Sequence, residues 1–482
     1  MMVTQTDLRT DLFIAGKWRG ASQEARIPVV DPSTEAVIAS VADATVADGI
    51  AAVEAAVAAA AGWAARSPRE RSQILLRAFT LMSERTEALA VLISRENGKA
   101  LADARGEVAY AAEFFRWYAE EAVRIGGEIG RSPSGNNHII VQHRPIGVSV
   151  LVTPWNFPAA MATRKIGPAL AAGCTCVLKP ATETPLTAYA IAGILAEAGV
   201  PDGVVNVVTT SRSGAVVSAM LHHPAVRKLS FTGSTEVGRL LLKEAADQVI
   251  SCSMELGGNA PFIVFDDADL EAALEGAMVA KMRNGGEACT AANRFYVQEG
   301  IGAAFAEGLA ARMAALAVGP GYDPATELGP LVNAASRDKV GELVADTTAR
   351  GARVLTGGEP LDGVGYFYPP TVLASVPPDA AILDHEIFGP VAPLVTFRTE
   401  EEAIALANRT EFGLVSYVYT RDLQKGLRVA AAIESGMVGL NRGLVSDVAA
   451  PFGGMKQSGL GREGGYHGLM EFLEPQYVAV TL

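Results

Sequence analysis

The stretch IGVSVLVTPWNFPAAMATRKIGPALAAGCTCVLKP, residues 146–180, decides the fold class. IGVSVLVTP has the composition of a buried strand, AAMATRKIGPALAAG that of a helix closed by glycine, and CTCVLKP that of a second strand. The alternation continues with a helix from Pro185 to Gly199, the strand VVNVVT, a helix at about 214–222 and the strand VRKLSFTG. This β-α-β-α order predicts an α/β protein with a doubly wound parallel sheet, where ligands bind beyond the carboxyl ends of the strands.

A second alternating series follows ELGGNAPFIVF, residues 255–265. It begins with a helix at about 268–284 and continues through strands such as RFYVQ, APLVTF and GLVSYVYT, which predicts a second α/β domain. Two segments fit neither series: residues 124–145, which end in HIIVQHRP, and the terminal EPQYVAVTL. A terminal edge strand of this kind favours pairing with another chain.

Length and charge exclude several classes of protein. A chain of 482 residues suggests about three domains. A net charge of −13 disfavours nucleic acid and anionic membrane as partners, and four cysteines do not make a disulfide framework. The N-terminus has no signal-peptide pattern, and the Ala-rich run at 51–65 predicts a surface helix rather than a membrane span. We therefore expect a cytoplasmic protein.

Five stretches could carry chemistry, and each ends or follows a predicted strand: TPWNFP (153–158), KPATETP (179–185), FTGSTEVG (231–238), MELGG (254–258) and NGGEACTAANR (284–294). Cys289 is a candidate nucleophile, which must react as the thiolate. Glu255 is a candidate base, because partial burial raises a carboxyl pKa toward neutrality. Asn156 could donate to an oxyanion. Taken singly, the three residues also fit a core thiol, a surface acid and a turn-forming asparagine.

The remaining signals are weaker. Gly233 and Gly238 flank a strand-to-helix turn that would suit a pyrophosphate, and Lys179 could reach ribose hydroxyls or a phosphate. Alone, they fit an ordinary turn and a solvated lysine equally well. The six histidines show no metal-ligand spacing, and Cys174 and Cys176 form no C-x-x-C pair, so we predict no metal site.

Together these stretches, with EIFGP (386–390), PFGGMKQSG (451–459) and the GLGRE that follows, resemble the aldehyde dehydrogenase superfamily over nearly the whole chain. Within it the likeness is greatest to bacterial succinate-semialdehyde dehydrogenases, through MATRKIGPALAAGCT (161–175) and SMELGGNAPFIVFDDADL. The resemblance implies oxidation of an aldehyde, succinate semialdehyde first of all, to a carboxylic acid with NADP or NAD. Cys289 would attack the aldehyde, Asn156 would hold the oxyanion and Glu255 would activate water.

The resemblance also implies binding residues. The cofactor would contact Thr153, Pro154, Trp155, Lys179, Pro180, Ala181, Thr182, Gly233, Ser234, Leu256, Glu386 and Phe388. A substrate carboxylate would be held by Arg164, Arg283 and Ser446, and the planar fork of a guanidinium suits a carboxylate. The alternative is a structural ion pair for Arg164 and a subunit contact for Arg283.

The domain organisation implied by the resemblance has three parts. Residues 1–123 and 146–253 would form the dinucleotide-binding domain, and residues 254–448 the catalytic domain. Residues 124–145 and 449–482 would form a small β oligomerisation arm and the C-terminal segment. Such an arm implies a homodimer or a homotetramer.

The chain departs from the family pattern at three places. GEAC replaces the usual GQTC, and the charge of Glu287 would raise the thiol pKa unless its side chain points away. Thr182 stands where many NAD-specific relatives have a glutamate, which predicts that NADP is accepted, although Glu183 could substitute in part. Arg442 could bind or obstruct the substrate.

Two alternatives to succinate semialdehyde oxidation stay open. The protein could oxidise another acidic aldehyde or a broad range of aldehydes. It could also be a catalytically silent structural or binding protein with the same fold, although the joint presence of Cys289, Glu255 and Asn156 favours an enzyme.

Overall fold

The computed structural model describes residues 8–481. The strands are β1 Leu12–Ile14, β2 Lys17–Arg19, β3 Arg26–Val30, β4 Val37–Ala42, β5 Glu128–Arg131, β6 His138–Pro145, β7 Val148–Val152, β8 Cys176–Lys179, β9 Val205–Val207, β10 Val226–Thr232, β11 Ser251–Glu255, β12 Ala260–Val264, β13 Ala292–Gln298, β14 Arg353–Thr356, β15 Thr371–Ala374, β16 Val391–Phe397, β17 Phe412–Gly413, β18 Val415–Tyr419, β19 Met437–Leu440, β20 Met455–Lys456, β21 Gly459–Leu460 and β22 Leu473–Val480. The helices are α1 Val46–Ala64, α2 Pro68–Glu84, α3 Thr86–Asn97, α4 Leu101–Ala122, α5 Pro158–Ala172, α6 Pro185–Ala198, α7 Ser213–Leu221, α8 Thr235–Ala246, α9 Leu270–Met282, α10 Glu299–Ala314, α11 Ala334–Ala349, α12 Glu400–Asn408, α13 Leu423–Ala432 and α14 Gly465–Met470.

The first sheet has eight strands in the order β2-β1-β9-β8-β7-β10-β11-β21. Its five central strands, β9 to β11 in this order, are parallel, and the short outer strands pair antiparallel. The chain runs outward from β7 to β9 and then returns to place β10 on the other side of β7. The crevice beyond the carboxyl ends of β7 and β10 is therefore the switch point at which such sheets bind ligands.

Helices cover both faces of this sheet, which explains its continuous apolar strands. All five residues of β7 are buried. Leu151 and Leu178 pack into the core beneath α2 to α6, whereas Val150 and Val177 pack into the core beneath α1 and α7. Alternate residues thus serve opposite faces, as the pleat requires. Helices α5 and α6 end at glycines with φ of 94° and 98°, as the sequence predicts.

The second sheet has seven strands in the order β14-β15-β16-β13-β12-β18-β19, and all its strands except β14 run parallel. Phe262 and Phe295 face one apolar core, and Ile263 and Tyr296 face the other. The predicted α/β class with two parallel-sheet units is confirmed. The cysteine loop lies just before β13, at the amino end of this sheet.

A third sheet contains the two segments that fit neither series. Strands β5, β6 and β22 form it, and β22 pairs with β6 from Leu473 opposite Pro145 to Val480 opposite His138. Ile129 and Tyr477 are exposed on it. Other strands within residues 449–482 do not belong to this third sheet: β21 pairs with β11 of the first sheet, and β20 pairs with β17. The domain boundaries stay a prediction.

Helix α1 is, among the described residues, the one helix long and apolar enough to cross a membrane by length and composition alone. It contains Glu54, and its residues Ala52, Val53 and Ala56 pack into the core of the first sheet. Core helices of globular proteins pass the same length test, and 33% of the apolar window of α1 is buried.

Candidate active site

A cavity of about 250 Å³ lies at the switch point of the first sheet. The turn after β7 contributes Asn156 and the turn after β10 contributes Gly233 and Ser234. The segment after β11 contributes Leu256 and Gly257, and the cysteine loop contributes Cys289. The strand-end motifs of the sequence therefore meet in one place, as the topology of a doubly wound sheet requires.

Most of the residues predicted to bind the cofactor line this cavity: Pro154, Trp155, Gly233, Ser234, Leu256, Glu386 and Phe388. The remaining five, Thr153, Lys179, Pro180, Ala181 and Thr182, do not line it. They lie in the adjoining turns, where the N–H of Thr153 donates to the carbonyl of Lys179 over 3.2 Å.

The cavity wall fits a dinucleotide in three respects. Ser234 caps α8, so the positive end of a twelve-residue helix adjoins the cavity. A Cβ on Gly233 would lie 2.5 Å from the Phe231 ring, so a side chain at this position would clash with the ring. Glu386 accepts a hydrogen bond from the Gly258 N–H over 3.0 Å, which fixes a carboxylate that could receive ribose hydroxyls. The residues present therefore fit NAD or NADP.

An aromatic pair forms another part of the wall. The rings of Trp155 and Phe388 meet edge to face with centroids 5.3 Å apart. Phe388 has φ of 57°, a conformation that bulky residues rarely adopt and that persists only where the surroundings enforce it. The cavity is also lined by Ser336 and Lys339, from the first turns of α11, which the sequence motifs do not predict.

The cysteine loop, residues 284–294, has a tightly bent backbone and places Cys289 in the wall of the cavity. Asn284, Gly285 and Gly286 all have positive φ, and Cys289 is half-buried. A Cβ on Gly258 would lie 2.3 Å from the Cys289 carbonyl oxygen, so the second glycine of MELGG permits the close approach of this loop. Burial raises the pKa of the Cys289 thiol to about 12, opposed by the nearby Arg164 guanidinium. The thiol therefore needs a base to react.

Asn156 is buried, and its amide has a defined orientation. Its Nδ2 donates to the carbonyl of Glu287 over 3.0 Å, and its Oδ1 is buried with no hydrogen-bond partner. An amide nitrogen carries two hydrogens, so one N–H of Asn156 is left for another acceptor in the cavity that it shares with Cys289.

Glu255 ends β11 and is 2% exposed. Neither of its carboxyl oxygens has a hydrogen-bond partner, and burial, together with the charge of Glu463, raises its pKa well above the ordinary value. A Cβ on Gly453 would lie 2.7 Å from its Oε1, so this glycine leaves room for the carboxyl. A buried carboxyl with a raised pKa is suited to general-base catalysis.

Buried charges that the sequence motifs do not predict lie near Glu255 and affect its pKa. Lys165 forms an ion pair with Glu463 and donates to Ser230 Oγ over 3.0 Å. Both charged groups are at least 95% buried. Their only sequence signals are their positions within MATRKIGP and GLGRE, two of the stretches that carry the family resemblance.

A second cavity, of about 240 Å³, brings Arg283 and Ser446 together. Its other walls come from α4, which contributes Asp103 and Tyr110 among others, and from Phe157, the residue after Asn156. The Arg283 guanidinium lies over the Phe157 ring, 5.0 Å from its centroid. An arginine, a hydroxyl and an aromatic wall could bind a carboxylate at the end of a short chain.

Arg164 does not line this second cavity. Its Nε lies 2.5 Å from Glu463 Oε2, and its guanidinium stacks 4.2 Å from the centre of the Phe452 ring. The side chain is 2% exposed, and the charge of Glu463 raises the pKa of Arg164 against the effect of burial. The structure therefore shows the ion pair that the sequence left open, made through the Nε of this guanidinium.

The three departures from the family pattern have distinct surroundings. Glu287 points away from the thiol: its Oε1 accepts from the Val332 N–H over 3.2 Å, and burial raises its pKa to about 8. Thr182 donates to Glu183 Oε2 over 3.1 Å. Arg442 is exposed and donates to the carbonyl of Leu444 over 2.6 Å, and it lines neither cavity.

Comparison with known proteins identifies the family of the chain. The sequence pattern of the Aldehyde dehydrogenase family matches residues 18–478. The chain is 56% identical over 445 residues to the succinate-semialdehyde dehydrogenase of Paenarthrobacter nicotinovorans, covering 92% of this chain and 99% of that one. It is 50% identical over 474 residues to the glutarate-semialdehyde dehydrogenase of Pseudomonas putida, covering 98% of each. The crystal structure of an NADP-dependent enzyme from E. coli superposes with a TM-score of 0.98 at 48% identity over the whole of both chains.

The chain thus belongs to the aldehyde dehydrogenase family. It is an oxidoreductase that oxidises an aldehyde with NAD or NADP, and it is similar to enzymes named for semialdehydes of dicarboxylic acids. The fold class and the family predicted from the sequence are confirmed.

Proposed function

We propose that the protein oxidises succinate semialdehyde, or a near homologue with a terminal carboxylate, to the dicarboxylic acid. The observation that carries this proposal is the meeting of Arg283 and Ser446 in one cavity beside Phe157. The identities to succinate- and glutarate-semialdehyde dehydrogenases support the same substrate class. Arg164 does not line this cavity and is paired with Glu463.

The reaction begins with the aldehyde carbonyl at Cys289 and the substrate carboxylate on Arg283 and Ser446. The Cys289 sulfur bonds to the carbonyl carbon while Glu255 takes the thiol proton, which gives a thiohemiacetal. The free N–H of Asn156 and the backbone N–H of Cys289 stabilise the negative oxygen as it forms. Because the Glu255 pKa is raised, the carboxyl ionises at a higher pH than an ordinary glutamate, and the fraction available as base grows as the pH rises.

Oxidation and release complete the reaction. When bound, NAD or NADP supplies the hydride acceptor. Once the carbon has lost its hydride, Cys289 carries a thioester. Glu255 first gives up the thiol's proton to solvent and is a carboxylate again. It then takes a proton from water, the hydroxide oxygen bonds to the thioester carbon, and the C–S bond breaks to release the acid and the Cys289 thiolate.

The cofactor preference follows from the turn after β8. Lys179 attracts a phosphate, and Thr182 brings no charge of its own. Glu183 lies close enough to Lys179 to oppose the lowering of the lysine pKa by burial. We expect NADP to be accepted beside NAD, with Glu183 limiting the preference.

The assembly belongs to this proposal as well. The exposed faces of β5, β6 and β22 suit pairing with another copy of the chain, in a homodimer or a homotetramer. The net charge of −13 and the bacterial relatives support a cytoplasmic enzyme that binds neither nucleic acid nor membrane.

A panel of matched aldehydes tests the substrate class. Succinate and glutarate semialdehydes are compared with butanal and pentanal, each with NADP and with NAD. One charge-assisted hydrogen bond contributes about 1.5–3 kcal/mol, which gives the carboxylate substrates an advantage of roughly 10–150-fold in kcat/KM. Equal kcat/KM values for succinate semialdehyde and butanal would leave a general aldehyde dehydrogenase without a carboxylate site.

A further inference from the structure

We propose that Asn284 is a positioning residue that holds Asn156 in the orientation needed to stabilise the oxyanion. The inference rests on the role proposed for Asn156. Asn284 lines neither cavity, so any effect of its side chain on the reaction must pass through its neighbours.

The side-chain amide of Asn284 joins the two loops that form the oxyanion site. Its Nδ2 donates to the carbonyl of Asn156 over 3.0 Å and to the carbonyl of Glu287 over 2.9 Å. The carbonyl of Glu287 is also the acceptor for Asn156 Nδ2. Asn156 and the segment before Cys289 are therefore held together by two side-chain amides that share the Glu287 carbonyl.

Chemistry fixes the orientation of both amides. A backbone carbonyl only accepts, so nitrogen rather than oxygen must face it in each asparagine. Asn284 uses both of its N–H groups on the two carbonyls, whereas Asn156 uses one and keeps one. Asn284 itself has no N–H left for a substrate, which makes it a support and leaves Asn156 as the donor.

The buried ion pair of Lys99 and Glu107 also holds the carbonyl of Asn156. Lys99 Nζ lies 2.6 Å from the Asn156 carbonyl oxygen and 2.5 Å from Glu107 Oε2. Glu107 Oε1 accepts the N–H groups of Ala159 and Ala160, in the first turn of α5. Both charged side chains are at most 1% exposed. The carbonyl of Asn156 therefore has two fixed donors, and the loop has little freedom to rotate.

The backbone conformation at Asn284 is one that favours glycine, yet the residue is an asparagine. Its φ and ψ are 55° and 35°, and the two residues that follow are glycines with positive φ. Glycine adopts this conformation with less strain than asparagine does. The asparagine side chain makes two hydrogen bonds to carbonyls that a third glycine could not make.

The experiment compares Asn284→Gly with Asn284→Asp. Glycine keeps the left-handed backbone and removes the amide; aspartate keeps the size but places a carboxylate against two carbonyl oxygens. We expect the single-turnover rate of aldehyde oxidation to fall roughly 10–100-fold in the glycine variant, since small misplacements of a catalytic group cost up to about 10². The aspartate variant should be slower still.

Alkylation of Cys289 by iodoacetamide separates positioning from general damage. This displacement of iodide forms no oxyanion, so its rate should stay within about twofold of the wild-type rate in Asn284→Gly. Asn408 is the matched control: its amide also joins two backbone groups, those of Ala432 and Glu434, and it lines neither cavity. Asn408→Gly should oxidise aldehyde at the wild-type rate.

A double-variant cycle tests whether Asn284 acts through Asn156. Asn156→Ala alone should cost roughly 10²–10³-fold, and adding Asn284→Gly should slow it no further, because the group being positioned is gone. Multiplied effects in the double variant, or alkylation slowed as much as oxidation, would overturn the inference. A normal rate in Asn284→Gly beside a slow Asn156→Ala overturns the inference alone, whereas a normal rate in Asn156→Ala overturns the proposed oxyanion role and the inference with it.

Discussion

The two cavities that hold the predicted binding residues differ in how they are built. The cofactor-side cavity is formed largely by turns at the ends of β7, β10 and β11, whose glycines and caps are local features of the sequence. The substrate-side cavity is formed by residues of α4 together with Phe157, Arg283, Leu444 and Ser446, which are far apart along the chain. Seven of the twelve predicted cofactor residues line the first cavity, and two of the three predicted substrate residues line the second.

The difference teaches where residue chemistry alone is a poor guide. A turn motif carries its own geometry, so finding the motif locates the site. An arginine carries only its charge, and its partner can be a substrate or an acid of the protein. Arg283 lines a cavity and Arg164 is paired with Glu463, although the resemblance implies the same role for both arginines.

The largest effect is expected where the reaction depends on one residue whichever aldehyde is bound. Cys289→Ala should abolish oxidation of every aldehyde while leaving cofactor binding and thermal unfolding close to wild type, because only the nucleophile is removed. Steady-state turnover and cofactor titration measure the two properties.

Cys252 provides the control for this change, since it is also half-buried but lines neither cavity. Cys252→Ala should keep wild-type turnover. Near-normal turnover in Cys289→Ala would rule out the covalent mechanism.

The next effect should be confined to the substrate-side cavity. Arg283→Ala should lower kcat/KM for succinate semialdehyde roughly 10–150-fold and leave butanal nearly unaffected, because about 1.5–3 kcal/mol of charge-assisted bonding is lost only where a carboxylate is present. Arg442→Ala is the matched control: this arginine is exposed, lines neither cavity and should not discriminate between the aldehydes.

Arg164→Met sharpens the contrast with Arg283. This change leaves Glu463 without one of its cations, so it should slow both aldehydes to a similar extent. A selective loss of succinate semialdehyde oxidation in Arg164→Met would show that Arg164 contacts the carboxylate.

A smaller effect is expected at the edge of the cofactor-side cavity. Thr182→Glu should lower kcat/KM for NADP roughly tenfold relative to NAD, because its carboxylate would repel a 2′-phosphate near Lys179. Glu183→Gln should change the ratio in the opposite direction. If both variants keep the wild-type ratio, this turn does not contact the adenosine ribose.

The smallest effect concerns Glu287, whose carbonyl serves the active site while its side chain lies in the core. Its pKa is raised to about 8, so the folded state keeps a proton that the unfolded state loses above about pH 4.5. The stability from this group is fully present at low pH and is lost as the pH rises through 8. Glu287→Gln should therefore raise Tm, by on the order of 1–4 °C, more at pH 9 than at pH 5.5. A Tm difference that shrinks with pH would contradict a raised pKa.

The sequence predicted the fold well because its strands, helices and turns are encoded locally, whereas the roles of the reacting residues stay a prediction. Helices α5 and α6 end at the glycines that mark them, and Asn156 and Cys289 share a cavity because strand-end motifs converge. Lys339 was missed because a polar residue near the start of a helix is typical of a solvated surface, and only the fold brings its Nζ within 2.7 Å of the Glu386 carbonyl oxygen. The Lys165–Glu463 pair was missed because its members are 298 positions apart.

That separation also sets the order in which the protein can mature on the ribosome. Lys165 and Arg164 emerge long before the acid that pairs with both of them. At a synthesis rate of about 5–20 residues per second, 298 positions take roughly 15–60 s. During that interval neither cation has its native counter-ion, and β6 lacks its partner β22. A nascent chain stalled before Glu463 should therefore be an inactive, hydrated intermediate that chaperones can hold, with closure of the active site postponed to the final part of translation.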